Sequence, residues 1–193
     1  PVTGELVLLT MVVSVVVSLV VGGYLGCRAG GRIDRLWQLL SSVLVAVPTF
    51  VTGLVLVYFF AVALQHTPLS LPPTGWIPLS DSVSGNLEHL ILPVVTLALP
   101  EIATYTRVLR SDLIATLQQD YILAARARGL STLRIVVGHA LKPSSFSLVT
   151  LAGLSLGRLI GSAVVVEVLF ALPGLGQLLI NSVVDRDVPT VEG

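Results

Sequence analysis

The 193 residues contain a single cysteine, Cys27, and a single lysine, Lys142. One cysteine excludes an internal disulfide framework and a cysteine-ligated metal cluster. Lys142 is followed by Pro143, so the chain has no Gly-x-x-x-x-Gly-Lys-Ser/Thr loop with which to hold nucleotide phosphates. His66, His89 and His139 stand apart, with no partner at metal-ligand spacing. Ser144 and Ser145 lie close to His139, but no carboxylate adjoins them. The expected role there is a helix-entry cap rather than a nucleophile. Charge is scarce as well: 11% of residues are charged, against roughly 25% in soluble domains. Eleven basic and eleven acidic side chains cancel, which leaves nucleic-acid binding without an electrostatic basis.

What fills the chain instead is apolar. Hydrophobic residues make up 54% and the mean hydropathy is +0.93, the composition of a membrane protein. A bilayer core about 30 Å thick takes about 20 helical residues to cross, and four runs qualify. Residues 6–26 are uncharged, with Gly22 and Gly23 placed for close helix packing. Residues 36–64 are uncharged and long enough to tilt, with a kink expected at Pro48. Residues 87–107 carry Glu101 and are interrupted by Pro93 and Pro100, and residues 144–166 carry Arg158. Residues 65–86 hold Pro68, Pro72, Pro73 and Pro78 and read as a loop, in which Trp76 suits a membrane interface. After the last run, Pro173-Gly-Leu-Gly176 is a turn, and residues 177–184 form a helix too short to cross.

One long segment is punctuated by polar residues, 112–143. Leu113, Leu117, Tyr121, Ala124 and Ala125 recur at the three- and four-residue steps of a single helix face. Gly129 then stops that helix, because glycine enters the left-handed region without a Cβ clash. Ser131 is placed to cap a second, shorter helix running to Leu141, with Pro143 beyond it. Two short helices around a glycine elbow, between membrane spans, form a knuckle suited to a groove on a partner.

At these residues the chain resembles the permease subunits of ABC importers, whose cytoplasmic loop reads Glu-Ala-Ala, three residues, Gly, nine residues, Ile-x-Leu-Pro. Ala124 and Ala125 match the alanines, Gly129 the glycine and Leu141 the leucine. Leu123 stands in place of the glutamate, His139 in place of the isoleucine, and Pro143 falls one position late. The form Asp120-Tyr121-x-x-x-Ala125-Arg126-Ala127-x-Gly129-Leu130-Ser131 is similar to the dipeptide/oligopeptide/nickel branch. So are Val164–Glu167 (Val-Val-Val-Glu) and Pro173–Gly176 (Pro-Gly-Leu-Gly).

The resemblance implies an all-α, polytopic helical bundle of the type I importer kind. It also implies one such domain over residues 1–193, holding about four spans (the second to fifth of about six) and a coupling-helix loop. It implies that Asp120, Tyr121, Ala124, Ala125, Arg126, Gly129 and Leu130 dock on an ATPase, and that Glu167, Pro173, Gly174 and Gly176 lie at the outer mouth. For those last residues a plain surface connector is an equal alternative. The partners implied are a second permease subunit, two ATPase subunits that carry ATP and Mg, an external substrate-binding protein and the lipid bilayer. No cofactor and no nucleic acid are expected on this chain. The setting implied is a prokaryotic inner membrane, and the cargo short peptides, with nickel or another small solute as the alternative.

Charge asymmetry sets the expected orientation. Arg28, Arg32, Arg35, Arg107, Arg110, Arg126, Arg128, Arg134 and Lys142 share one side of a four-span topology, which the positive-inside rule makes cytoplasmic. Residues 65–86 and 171–193 are then external, with Asp185, Asp187 and Glu192 there. With Pro1 outside and neither an initiating methionine nor a signal-peptide pattern, a further span is expected upstream. The intramembrane charges Glu101 and Arg158 are expected to pair with each other, to line a pathway, or to meet partners in the second subunit. A secondary transporter or channel using them as a relay is the competing class. Inverted repeats would favour it, and the two halves show no self-similarity.

Overall fold

The computed structural model describes residues 2–184, so the sequence expectations for Asp185, Arg186, Asp187 and Glu192 lie outside the described residues. The described residues are helical with irregular connections and contain no strand. Helix α1 spans Val2–Cys27, α2 Arg32–Ala46, α3 Thr49–Val57, α4 Val83–Leu117, α5 Asp120–Ala127, α6 Thr132–Ile135, α7 Leu141–Leu169 and α8 Leu175–Val184. A π turn, Tyr58–Ala63, extends α3, and another, Val136–Ala140, joins α6 to α7. Among the described residues, three helices are long and apolar enough to cross a membrane: Val2–Cys27, Val83–Leu117 and the continuous Thr132–Leu169. The α2–α3 pair makes a fourth only if its two pieces are counted together.

Two compact units emerge. Of the described residues, the first comprises 2–11, 47–98 and 156–184, and the second 12–46 and 99–155.

Helix α1 reverses the pattern of a soluble helix. Thr3, Thr10, Ser14 and Ser18 are buried, and Leu8, Val12, Val16 and Val20 are exposed. Bulky aliphatic groups lose nothing against lipid, whereas small residues let backbones approach closely. In the second unit this seam meets α4. Ser18 Oγ donates to the Ile102 carbonyl at 3.3 Å, and a Cβ on Gly22 would lie 3.0 Å from Leu109 Cδ2. The close packing expected at Gly22 is present. Gly26 is tighter still, 2.7 Å from Leu113 by the same measure, while Gly23 has only Leu141 at 3.9 Å.

The prolines behave differently from expectation. Helix α4 runs unbroken through Pro93 and Pro100 and extends to Leu117, where the sequence pointed to an interrupted span ending near residue 107. Pro48 does more than kink. It adopts ψ 139° and separates α2 from α3, as the restriction on the residue before proline favours. Packing explains the difference. Leu90, Leu92, Val94, Leu97 and Ala98 are buried around Pro93, and a backbone in apolar surroundings keeps every internal hydrogen bond it can. Residues 45–50 are exposed or half-buried, and nothing holds them straight. Pro143 likewise fails to end a helix, because the wider π turn at Val136–Ala140 accommodates its ring and its missing N–H. Helix α4 also starts earlier than residue 87, with Ser82 Oγ accepting the Gly85 N–H at 3.1 Å as an N-cap.

Candidate functional site

The knuckle lies wholly within the second unit. The backbone turns at Gln118–Gln119, and Gln119 is extended at ψ 149°. Helix α5 therefore restarts with a new phase, and the single apolar face expected across residues 113–125 does not form. Leu113, Ile122, Ala125, Ile135 and Ala140 make one buried cluster, with Leu117 and Leu130 packed against it. Tyr121 and Ala124 face outward instead.

Helix α5 closes in a Schellman motif. The Leu130 N–H reaches the Ala125 carbonyl at 3.3 Å, the Gly129 N–H reaches the Arg126 carbonyl at 2.9 Å, and Gly129 sits at φ +79°. The left-handed elbow expected at Gly129 is present, and a Cβ there would touch nothing within 4 Å. Its requirement is conformational, not steric. Asp120 in the first turn and Arg126 in the last both complement the helix dipole. Ser131 does sit at the N-cap of α6, but without a side-chain capping bond. Ser144, expected to cap a helix entry, lies inside the helix. Its hydroxyl bonds the Ala140 carbonyl at 2.8 Å and Thr116 Oγ1 at 2.9 Å, tying α7 to α4.

Burial divides the residues that the resemblance singles out. Asp120, Tyr121, Ala124, Arg126 and Gly129 are exposed, Leu130 is half-buried, and Ala125 is fully enclosed in the knuckle's own core. Leu123, the apolar residue in the glutamate position, is 52% exposed, and Tyr121 is 46% exposed. The free surface of α5 is thus apolar at Tyr121, Leu123 and Ala124 with Asp120 and Arg126 at its ends. The sequence signal for Leu123 was its departure from the family pattern.

The sequence reading missed the ion pair behind this element. Asp34, 1% exposed, accepts Arg110 Nε at 2.5 Å and Nη2 at 2.7 Å, and it also accepts the Gly30 N–H at 2.8 Å. The short polar loop expected at residues 28–35 is therefore partly helix and is anchored to α4 by its one acid. Arg107 Nη2 reaches Ser41 Oγ at 3.4 Å on the same side of α4.

Glu101 is buried in α4 of the second unit; Arg158 is exposed on α7 in the first. In that first unit, the Pro173–Gly176 turn is clasped by Glu167. Its carboxyl group, fully buried, accepts the Gly176 N–H on Oε2 at 2.6 Å. Thr3 Oγ1 accepts the Leu175 N–H at 2.9 Å. The two side chains together satisfy the first amides of α8, as caps at a helix N-terminus do. A Cβ on Gly174 would lie 2.2 Å from Glu167 Cδ, and one on Gly176 would lie 2.7 Å from Val164 Cα, so both glycines are sterically required. Upstream, α7 ends in a second Schellman motif, Leu172 N–H to Glu167 carbonyl at 2.8 Å, with Ala171 at φ +52° where glycine is usual.

Residues 14–191 match the family model described as binding-protein-dependent transport system inner membrane component. The chain is similar to "Probable peptide ABC transporter permease protein y4tP" of Sinorhizobium fredii, 36% identical over 98% of this chain and 59% of that protein. It is also similar to "Di/tripeptide transport system permease protein DppB" of Pseudomonas aeruginosa, 34% identical over all of this chain and 62% of that one. The chain spans about three-fifths of the length of these curated relatives. With its long apolar helices, it is a membrane component, and it belongs to the family of binding-protein-dependent transport system inner membrane components.

Proposed function

We propose that this chain is part of the membrane-spanning permease of an ATP-driven importer that passes short peptides delivered by an external binding protein. The permease pairs with a second, homologous subunit, and the knuckle at residues 112–143 couples it on the cytoplasmic side to two separate ATPase subunits. ATP and Mg are held there and not on this chain. Two relatives named for peptide and di/tripeptide transport support the cargo class. The observation that carries the docking reading is the build of the knuckle. Its own core and the Gly129 elbow hold α5 in place, so Tyr121, Leu123 and Ala124 stay exposed on an ordered helix instead of collapsing inward. An apolar centre with charged ends is the composition of a protein–protein contact.

Leu123→Asp tests this in the complete transporter. The side chain is exposed, so the knuckle keeps its fold, but docking would bury a carboxylate without a partner. The variant is expected to reach the membrane at normal levels, to lose co-purifying ATPase, and to lose peptide uptake into vesicles. Full ATPase recovery with full uptake refutes the docking role, and uptake of a nickel chelate but no peptide refutes the cargo.

A further inference from the structure

At the end of α1 the second unit carries an apolar slot of about 320 Å³, walled by Val20 and Tyr24 of α1 and by Ile33, Leu36, Trp37 and Leu40 of α2. Two features set it apart from ordinary lipid-facing surface. The first is charge at its mouth. The Arg28 guanidinium lies 4.9 Å from the Tyr24 ring centroid, and its Nη1 donates to the Tyr24 hydroxyl at 2.9 Å. The arginine is thus held on a side chain that forms the wall. Arg32 stands one helical turn before Leu36, a residue that lines the slot. Neither arginine meets a carboxylate among the described residues, and the nearby acid, Asp34, is committed to Arg110. The second feature is the Trp37 indole N–H, which is shielded from solvent and has no acceptor among the described residues. A buried indole N–H ordinarily finds one.

We propose that this slot is a binding site for an anionic phospholipid. An acyl chain lies along the aliphatic wall, the phosphate sits between Arg28 and Arg32, and a lipid oxygen accepts the Trp37 N–H. Charge complementarity selects the occupant: two uncompensated cations at the end of a membrane-spanning helix attract an anionic headgroup and do nothing for a neutral one. Arg35 has the same charge in the same stretch of sequence but lies off the slot face of α2, which provides an internal control.

The test uses the full-length permease in detergent, with phospholipids brominated on the acyl chain as contact quenchers of tryptophan. Trp37→Phe defines the part of the fluorescence that belongs to Trp37. Brominated phosphatidylglycerol is expected to quench that part at a several-fold lower mole fraction than brominated phosphatidylcholine. Arg28→Gln and Arg32→Gln should each reduce the preference by about fivefold, the effect of one basic residue on attraction to an anionic surface. Arg35→Gln should leave it unchanged. Should the glutamine variants fail to accumulate, Arg28→Lys/Arg32→Lys must retain a preference, and added salt must remove it from the unaltered protein. Equal quenching by the two lipids overturns the proposal. So does a loss of preference in Arg35→Gln as large as in Arg28→Gln. Relief of quenching by inorganic phosphate at millimolar concentration overturns the lipid assignment in favour of a free-phosphate site.

Discussion

Removing Arg110 probes the Asp34–Arg110 ion pair and yields a number. Asp34 is 1% exposed and accepts two hydrogen bonds from Arg110 and one from the Gly30 N–H. Arg110→Leu takes away both charge-assisted bonds and leaves a buried carboxylate with only the Gly30 amide and the Gln38 side chain. Breaking a buried pair from one side costs about 3–5 kcal/mol. The lower end applies here, because the Arg110 side chain is 19% exposed and water can reach the gap it leaves. Asp34→Leu orphans a guanidinium and the Gly30 N–H and should cost about 3 kcal/mol by the same reasoning. Asp34→Leu/Arg110→Leu removes both charges, so only the Gly30 amide remains unsatisfied, at about 1 kcal/mol. The double variant should then be more stable than either single one, with a coupling of about 5 kcal/mol. For a domain of this length 1 kcal/mol corresponds to about 2–4 °C in melting temperature. Thermal melts followed by size-exclusion of the detergent-solubilised protein should show Arg110→Leu about 6–12 °C below the parent and the double variant only about 2–4 °C below. A double variant that melts at the sum of the two single losses refutes the pair as the cause.

Three further outcomes follow from backbone geometry. Gly129→Val should cost about 1–2 kcal/mol by forcing a β-branched residue to φ +79°, and uncouple ATP hydrolysis from uptake. Gly129→Asn, which tolerates that region, should restore both, and equal loss in the two variants would exclude the backbone as the reason. Gly176→Ala should cost about 1–3 kcal/mol of overpacking against Val164 backbone, whereas Gly157→Ala, with nothing within 4 Å, should be neutral or mildly stabilising; thermal melts of the two variants decide this. Ala171→Gly should raise the melting temperature by about 1–3 °C, since relief of about 1–2 kcal/mol at φ +52° exceeds about 0.4–1 kcal/mol of extra chain entropy; a lower value would show that the Ala171 methyl contributes more than its backbone costs.

The sequence by itself determined the parts of this protein that depend on local chemistry. Long, sparsely charged runs in a chain with 11% charged residues have one way to satisfy their backbone in lipid, so α1, α4 and α7 were legible as helices. Gly129 was legible as an elbow because a Schellman closure needs only the preceding turn and a residue that accepts positive φ. The tertiary structure decided whatever depends on distant neighbours. Pro48 and Pro93 look alike in sequence, yet Pro93 is carried through a helix by buried residues on both sides, and Pro48, without them, breaks one. The face of α5 shifted because a two-residue turn after Leu117 resets the helical phase, which periodicity counted along the chain does not register. Ala125 could be read from the family pattern as a contact, but only the arrival of Ile135 and Ala140 beside it makes it core. Asp34 and Arg110 lie 76 residues apart, and nothing along the chain couples them until α2 and α4 come together. Glu167 reads as one more acid near a turn until the amides of α8 fold back onto it and turn it into a cap.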